Sequence, residues 1–238
     1  MAAWLDTVFQ GFDMGIFSAM HALAEAAGES IGADVSSLLT HFMHLVSLLA
    51  HDGIGMLLLG LVLMAFRRTR KIGVCVFAAV CCGAVITNLT LKPLLSRIRP
   101  YANMEHLGET VREWWIMVGE ARKGDSIDSS FPSGHTTAAT AAMVGLFLST
   151  NKKKFWPVLL FPFLMGASRI YLMVHYPSDV LAGLLAGMLG AIAAYFITKG
   201  IFAWLNKNTE KALCRFALHF DIVEWLKNLK KPANGAEN

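Results

Sequence analysis

Two stretches of this chain, Ile72 to Leu91 and Val180 to Thr198, run without a charged residue for about the length of a membrane-crossing helix. A helix needs roughly 20 apolar residues to cross a ~30 Å hydrocarbon core. Composition points the same way. Of the 238 residues, 55% are hydrophobic and only 16% are charged, where a soluble domain carries about a quarter. Mean hydropathy is +0.50. The first residues lack the basic leader and short apolar run of a cleavable signal peptide.

The pattern predicts an all-α, polytopic membrane bundle with six transmembrane helices and an interfacial cap on its outer face. The first helix, about Thr7 to Ala27, is interrupted by Asp13, His21 and Glu25, so an interfacial position competes with a spanning one. The second starts near Ser37 and ends in the apolar run Gly53 to Phe66. The third is Ile72 to Leu91, the fourth Gly134 to Thr150 and the fifth Phe155 to Val174. The sixth, Asp179 to Thr198, continues toward Trp204.

Net charge is +4, and its placement matters more than its size. Arg67, Arg68, Arg70 and Lys71 form one basic group; Lys152, Lys153 and Lys154 form another; a sparser one runs from Lys199 to Lys231. Each sits at the end of an apolar span, so they are topology signals rather than a nucleic-acid surface. With all of them in the cytoplasm both termini are cytoplasmic too. The segments 92–133 and 174–179 then share the extracytoplasmic face. Cys75, Cys81, Cys82 and Cys214 show no metal-type pairing and are expected to be small buried hydrophobes. Gly183, Gly187 and Gly190, with Ala182 and Ala186, form a stripe suited to close helix packing.

Three polar groups stand at helix ends on the outer face. They are Lys92 with Arg99-Pro100; Pro132-Ser133-Gly134-His135; and Ser168-Arg169 with His175 and Asp179. Ionisable residues at membrane-helix ends are costly to bury, so converging ones argue for function. Arginine forks match phosphate oxygens and lysine adds a compact charge. Lys92, Arg99 and Arg169 thus suit a phosphate and the added charge of its pentacovalent transition state. Pro132-Ser133-Gly134 opens a helix, where backbone N–H groups favour an anion and Ser133 adds a hydroxyl. Asp179, four residues after His175, is placed to orient that imidazole for attack on phosphorus. His135 is then the general acid for the leaving group and the later activator of water.

These groups resemble the signature of the type 2 phosphatidic acid phosphatase (PAP2) superfamily: Lys-x6-Arg-Pro, Pro-Ser-Gly-His and Ser-Arg-x5-His-x3-Asp. Every motif residue is present, in order and spacing, between Lys92 and Asp179. The resemblance implies a lipid phosphatase with His175 as nucleophile, oriented by Asp179, and His135 as acid. Lys92, Arg99, Ser133, Gly134 and Arg169 would hold the phosphate. It also implies no metal and no cofactor. Among substrates resembling those of the bacterial family, undecaprenyl diphosphate suits an outward site best. Phosphatidylglycerophosphate and phosphatidic acid are the competitors. Three other classes compete with this reading. A phosphotransferase would use the same phosphohistidine. A vanadium haloperoxidase shares the anion cradle but is soluble. A non-catalytic membrane protein would have no use for intact His135, His175 and Asp179.

Residues 1–205 are expected to form the transmembrane domain, with 101–131 as its cap and 206–238 as a basic amphipathic tail on the inner leaflet. The cap carries Trp114-Trp115, Arg112, Glu113, Arg122 and Lys123. The partners expected are a lipid phosphate and the bilayer, with a homodimer compatible and no nucleic acid. His41, His44 and His51 with Asp52 are expected to be packing or interfacial residues rather than a metal site. Asn88 and Thr90 are expected to order Lys92 or to bond between helices.

Overall fold

The computed structural model describes residues 3–31, 33–102 and 129–229, and every regular element among them is helical. α1 is Ala3–Ile31 and α2 is Ala33–Leu49. A 3₁₀ turn, His51–Gly53, leads into α3, Ile54–Ala65. α4, Arg70–Ala84, runs on through a π-helical stretch, Val85–Leu91, into the single turn α5, Lys92–Leu95. After residue 129 come α6, Gly134–Leu148, and α7, Lys152–Phe155. α8 is Leu160–Tyr171, α9 is Pro177–Lys207, α10 is Ala212–His219 and α11 is Ile222–Leu229. The tryptophans and charges of the expected cap, residues 103–128, lie outside the described residues, as does the end of the tail.

α4, α6 and α9 pack on one another at the centre, with α3 against α4 and α8 against α6. Small side chains make this possible. α6 buries Thr136, Thr137, Ala138, Ala139, Ala141 and Ala142. A Cβ on Gly187 would stand 2.6 Å from the Thr137 carbonyl oxygen, and one on Gly190 2.7 Å from the Gly83 nitrogen. The glycine stripe is therefore the seam along which α9 meets both α4 and α6, which supports the packing reading of those residues. The outward faces are apolar: Leu58, Leu185, Leu189 and Phe196 are all more than half exposed. In water such a surface would be an aggregation liability; against lipid it is the expected exterior.

Among the described residues, three helical stretches are long and apolar enough to cross a membrane: Leu38–Ala65, Arg70–Ala102 and Pro177–Lys207. The other expected spans differ. α6 has 15 residues and α8 has 12, both short of the roughly 20 a lipid-facing helix needs. α6 is shielded on several sides by its neighbours, so it can be shorter and richer in threonine. The expected second helix is broken. At the break Asp52 has φ 49° and Gly53 φ 74°, left-handed values that suit glycine and that aspartate tolerates better than most. The tail forms two short helices divided at Phe220–Asp221.

Candidate active site

The three motif groups meet at one end of α4, α6 and α9. Ser133 caps α6: its Oγ accepts from the Thr136 N–H (3.4 Å) and from Thr136 Oγ1 (3.0 Å). Its own N–H donates to the Asp179 carbonyl at 3.0 Å, which ties the second motif to the third. A Cβ on Gly134 would stand 3.7 Å from Asn88 Oδ1 and 4.0 Å from Lys92 Nζ, so glycine leaves open space beside the helix start. The first amides of a helix have no intrahelical acceptor, and this opening lets an anion approach them.

One cavity of about 160 Å³ is lined by Lys92, Arg99, Gly134, His135 and His175, together with Asn88 and Asp52. Asn88 lies within the π-helical stretch and Lys92 follows it directly. A π turn holds one more residue than an α turn, which changes which side chains share a face beyond it. Arg99 Nη1 donates to the Val174 carbonyl (3.4 Å). Leu57, Val80, Cys81 and Ala84, from α3 and α4, give it an apolar side, and Gly53, Thr87, Thr137 and Ala138 complete the lining. The cavity thus has a cationic end and an oily flank.

His175 sits in the connection between α8 and α9 and is 1% exposed. Its Nδ1 lies 3.6 Å from Asp179 Oδ2 and 3.4 Å from Ser130 Oγ. Burial, then the positive charges of Arg99, Arg169 and Lys92, holds its pKa well below the ordinary imidazole value. A neutral imidazole at neutral pH is the nucleophilic form. The connection is itself packed: Leu172, Met173, Val174 and Tyr176 form a buried cluster with Phe17 of α1.

Three predicted site residues stand back from the cavity: Asp179, behind His175, and Arg169 and Ser133. Arg169 is 1% exposed, and its Nη1 donates to Ser47 Oγ; its charge reaches His175 without the side chain lining the space. Ser133 is buried and serves as the helix cap just described. His51, which the sequence suggests is a packing or interfacial residue, lies with its ring 5.9 Å from that of His135 and edge-on to it.

Sequence reasoning missed the residues behind Asp179. Arg97 is 2% exposed. Its Nη1 donates to Asp179 Oδ1 and to Ser178 Oγ, both at 2.7 Å. Its Nη2 donates to Asp13 Oδ2 (2.9 Å) and its Nε to Asp6 Oδ1 (2.8 Å). The guanidinium carbon lies 3.9 Å from the centre of the Tyr176 ring. Asp13 also accepts the Ser178 N–H and hydroxyl, each at 2.7 Å. Asp179 Oδ2 accepts from Ser130 Oγ (2.5 Å) and from the Tyr176 N–H (2.9 Å). The signal for this network was in the sequence as Asp13, a carboxylate inside an apolar helix, which needs a buried partner.

Residues 68–203 match the PAP2 superfamily. The chain is 34% identical over 142 residues to the bacitracin transport permease protein BcrC of Bacillus licheniformis, covering 59% of this chain and 64% of that protein. It is 30% identical over 127 residues to an undecaprenyl-diphosphatase of Sulfolobus acidocaldarius, covering 52% of this chain and 54% of that one. The matches therefore span less than two thirds of these relatives. Among solved structures, the crystal structure of a transmembrane PAP2 type phosphatidylglycerolphosphate phosphatase from Bacillus subtilis is 25% identical with a TM-score of 0.47, covering 79% of this chain and 86% of that chain.

Proposed function

Because the chain belongs to the PAP2 superfamily, we propose that it is an integral-membrane lipid phosphatase that removes the terminal phosphate of a lipid diphosphate through a phosphohistidine on His175. One observation carries the reading: a buried imidazole with a carboxylate behind it faces the same small cavity as Lys92, Arg99 and His135.

The chemistry follows in two steps. His175 Nε2 attacks phosphorus while Asp179 and Ser130 hold the Nδ1 side. The P–O bond to the lipid breaks, and His135 gives its proton to the departing oxygen. Lys92, Arg99 and the α6 amides hold the phosphoryl oxygens, and Arg169 adds charge from behind. Then His135 takes a proton from water, the oxygen attacks phosphorus, and the P–N bond breaks to return neutral His175 and inorganic phosphate.

Undecaprenyl diphosphate is the proposed substrate. A relative named as an undecaprenyl-diphosphatase favours it, and the apolar flank of the cavity gives a lipid chain a side to leave by. The reaction faces the extracytoplasmic side, with both termini cytoplasmic. Residues 1–205 form the membrane domain, 101–131 its cap, and 206–238 a tail on the inner leaflet. The test is purified protein in detergent and EDTA, offered farnesyl diphosphate, phosphatidylglycerophosphate and phosphatidic acid. Phosphate release should be fastest from the prenyl diphosphate and absent in His175→Ala. Full activity in that variant would overturn the mechanism. Preference for a glycerophospholipid would overturn the substrate alone, and phosphate appearing on a second lipid would make the protein a phosphotransferase.

A further inference from the structure

We propose that Arg97 and Asp13 are positioning residues for the reaction, and that the N-terminal helix α1 is part of the active site through them. The proposal rests on the reading of Asp179 as the group that orients His175.

The two oxygens of Asp179 have separate partners. Oδ1 takes Arg97 Nη1, while Oδ2 takes the Ser130 hydroxyl and the Tyr176 N–H and faces His175. The carboxylate is 0% exposed, so a cation must stand beside it for it to keep its charge. Arg97 is that cation, and its planar fork fixes which oxygen is left for His175. The arginine in turn is aimed by Asp13. Asp13 binds Nη2 and both donors of Ser178, in the first turn of α9, where a negative charge is also favoured by the helix dipole. Asp179 stands one residue further along that turn. α1 lies outside the matched residues 68–203; it acts here by supplying an anion to the back of the site, 39% exposed Asp6 being the outermost link.

The charged groups that face Asp179 are Arg97 from the segment after α5, Asp13 and Asp6 across that arginine from α1, and His175 from the α8–α9 connection. The charges of Lys92, Arg99 and Arg169 act on His175, those of Lys92 and Arg99 from the lining of the cavity. Losing Arg97 leaves Asp179 beside an anion with its cation gone. It then takes up a proton at higher pH, and the acidic limb of the activity profile moves upward.

The experiment measures kcat, KM and the pH profile of kcat with farnesyl diphosphate in detergent, alongside the thermal midpoint, for Arg97→Gln, Arg97→Lys, Asp13→Asn and His175→Ala. Arg97→Gln should lower kcat by about 10²–10³-fold, on the scale of a lost orienting group. KM should move less than about threefold, since the phosphate-holding cations are untouched. Its acidic limb should shift to higher pH. Arg97→Lys keeps the charge, so the limb should stay in place and kcat should recover in part. Asp13→Asn keeps the shape and should lose about tenfold in kcat. A folded Arg97→Gln with the wild-type kcat and limb overturns the proposal. If that variant does not fold, wild-type kcat and pH profiles in both Arg97→Lys and Asp13→Asn overturn it instead. His175→Ala separates the two levels. Activity in that variant defeats the nucleophile reading and this proposal together, whereas an inactive His175→Ala beside an unaffected Arg97 series defeats this proposal alone.

Discussion

Arg97 and Arg70 are both buried, at opposite ends of one apolar helical stretch, and they have different kinds of partner. Arg97 faces three carboxylates, from Asp6, Asp13 and Asp179. Arg70 faces backbone carbonyls: Met64 O at 3.1 Å, Ala217 O at 3.0 Å and Phe220 O. Those carbonyls lie at the C-terminal ends of α3 and α10, where orphan acceptors and the helix dipole favour a cation. A neutral acceptor can hold an arginine in place, but it has no protonation state to be set. A carboxylate has one. The difference separates a site end, where a buried charge controls chemistry, from a scaffold end, where a buried charge docks a tail.

The largest effect that would sharpen this contrast is at Asp179. Asp179→Asn keeps the shape and can still accept from Arg97, but it loses the charge that steadies His175. On the proposed mechanism kcat should fall by about 10³–10⁴-fold, the scale set by orienting carboxylates in nucleophilic triads. Phosphate release within about tenfold of wild type would break the contrast, because the buried charge would then be scaffold at both ends.

A smaller effect is expected at the other end. Arg70→Met fills similar space and leaves the Ala217 and Phe220 carbonyls to water. Loss of about 1–2 kcal/mol from such bonds corresponds to a thermal midpoint lower by roughly 2–8 °C for a chain of this size. The tail helices α10 and α11 should become easier to cleave by protease, while kcat per folded molecule stays within about twofold. A kcat loss matching that of the Arg97 variants would show that the tail's anchor also serves the site.

The sequence carried the motif residues because each is a type with few bland uses at a membrane-helix end. Lys92, Arg99, Gly134, His135 and His175 do line one cavity. The glycine stripe was legible for a similar reason: in an apolar helix its spacing has one main use, close packing. What could not be read was pairing across the fold. Asp13 looked like a flaw in an apolar helix, when it is a buried ligand of Arg97 and of the first turn of α9. Arg97 itself was hidden two residues before Arg99. Nothing local says that one arginine faces a cavity and the other turns to the carboxylates, since the Ser96 φ of 42° that redirects the chain there is set by tertiary structure. The helix break at 51–53 was hidden as well, because aspartate and glycine are each tolerated within a helix and only their joint left-handed backbone ends it. Hydropathy also overstated the span lengths, for it cannot tell a helix wrapped by other helices from one wrapped by lipid.

The smallest predicted effect tests the scaffold end by pH. Asp221 Oδ2 accepts the Arg67 N–H at 2.9 Å, and Oδ1 accepts the Val223 N–H at 2.9 Å. The Arg67 N–H first, then that of Val223, holds the Asp221 carboxyl below the usual aspartate range. A carboxylate whose folded pKa is depressed contributes stability that is fully present above its unfolded value of about 3.9, and that is lost as pH falls through the lower folded value. Asp221→Asn should therefore lower the thermal midpoint slightly at pH 7, and the gap from wild type should close as pH drops below about 4. Because the group is exposed, raising the salt concentration should shrink the gap as well. A gap that persists unchanged at low pH would assign the loss to the shape of the N-terminal cap of α11, with the charge contributing nothing. The scaffold end would then rest on neutral hydrogen bonds throughout, and its difference from the carboxylate-lined site end would be complete.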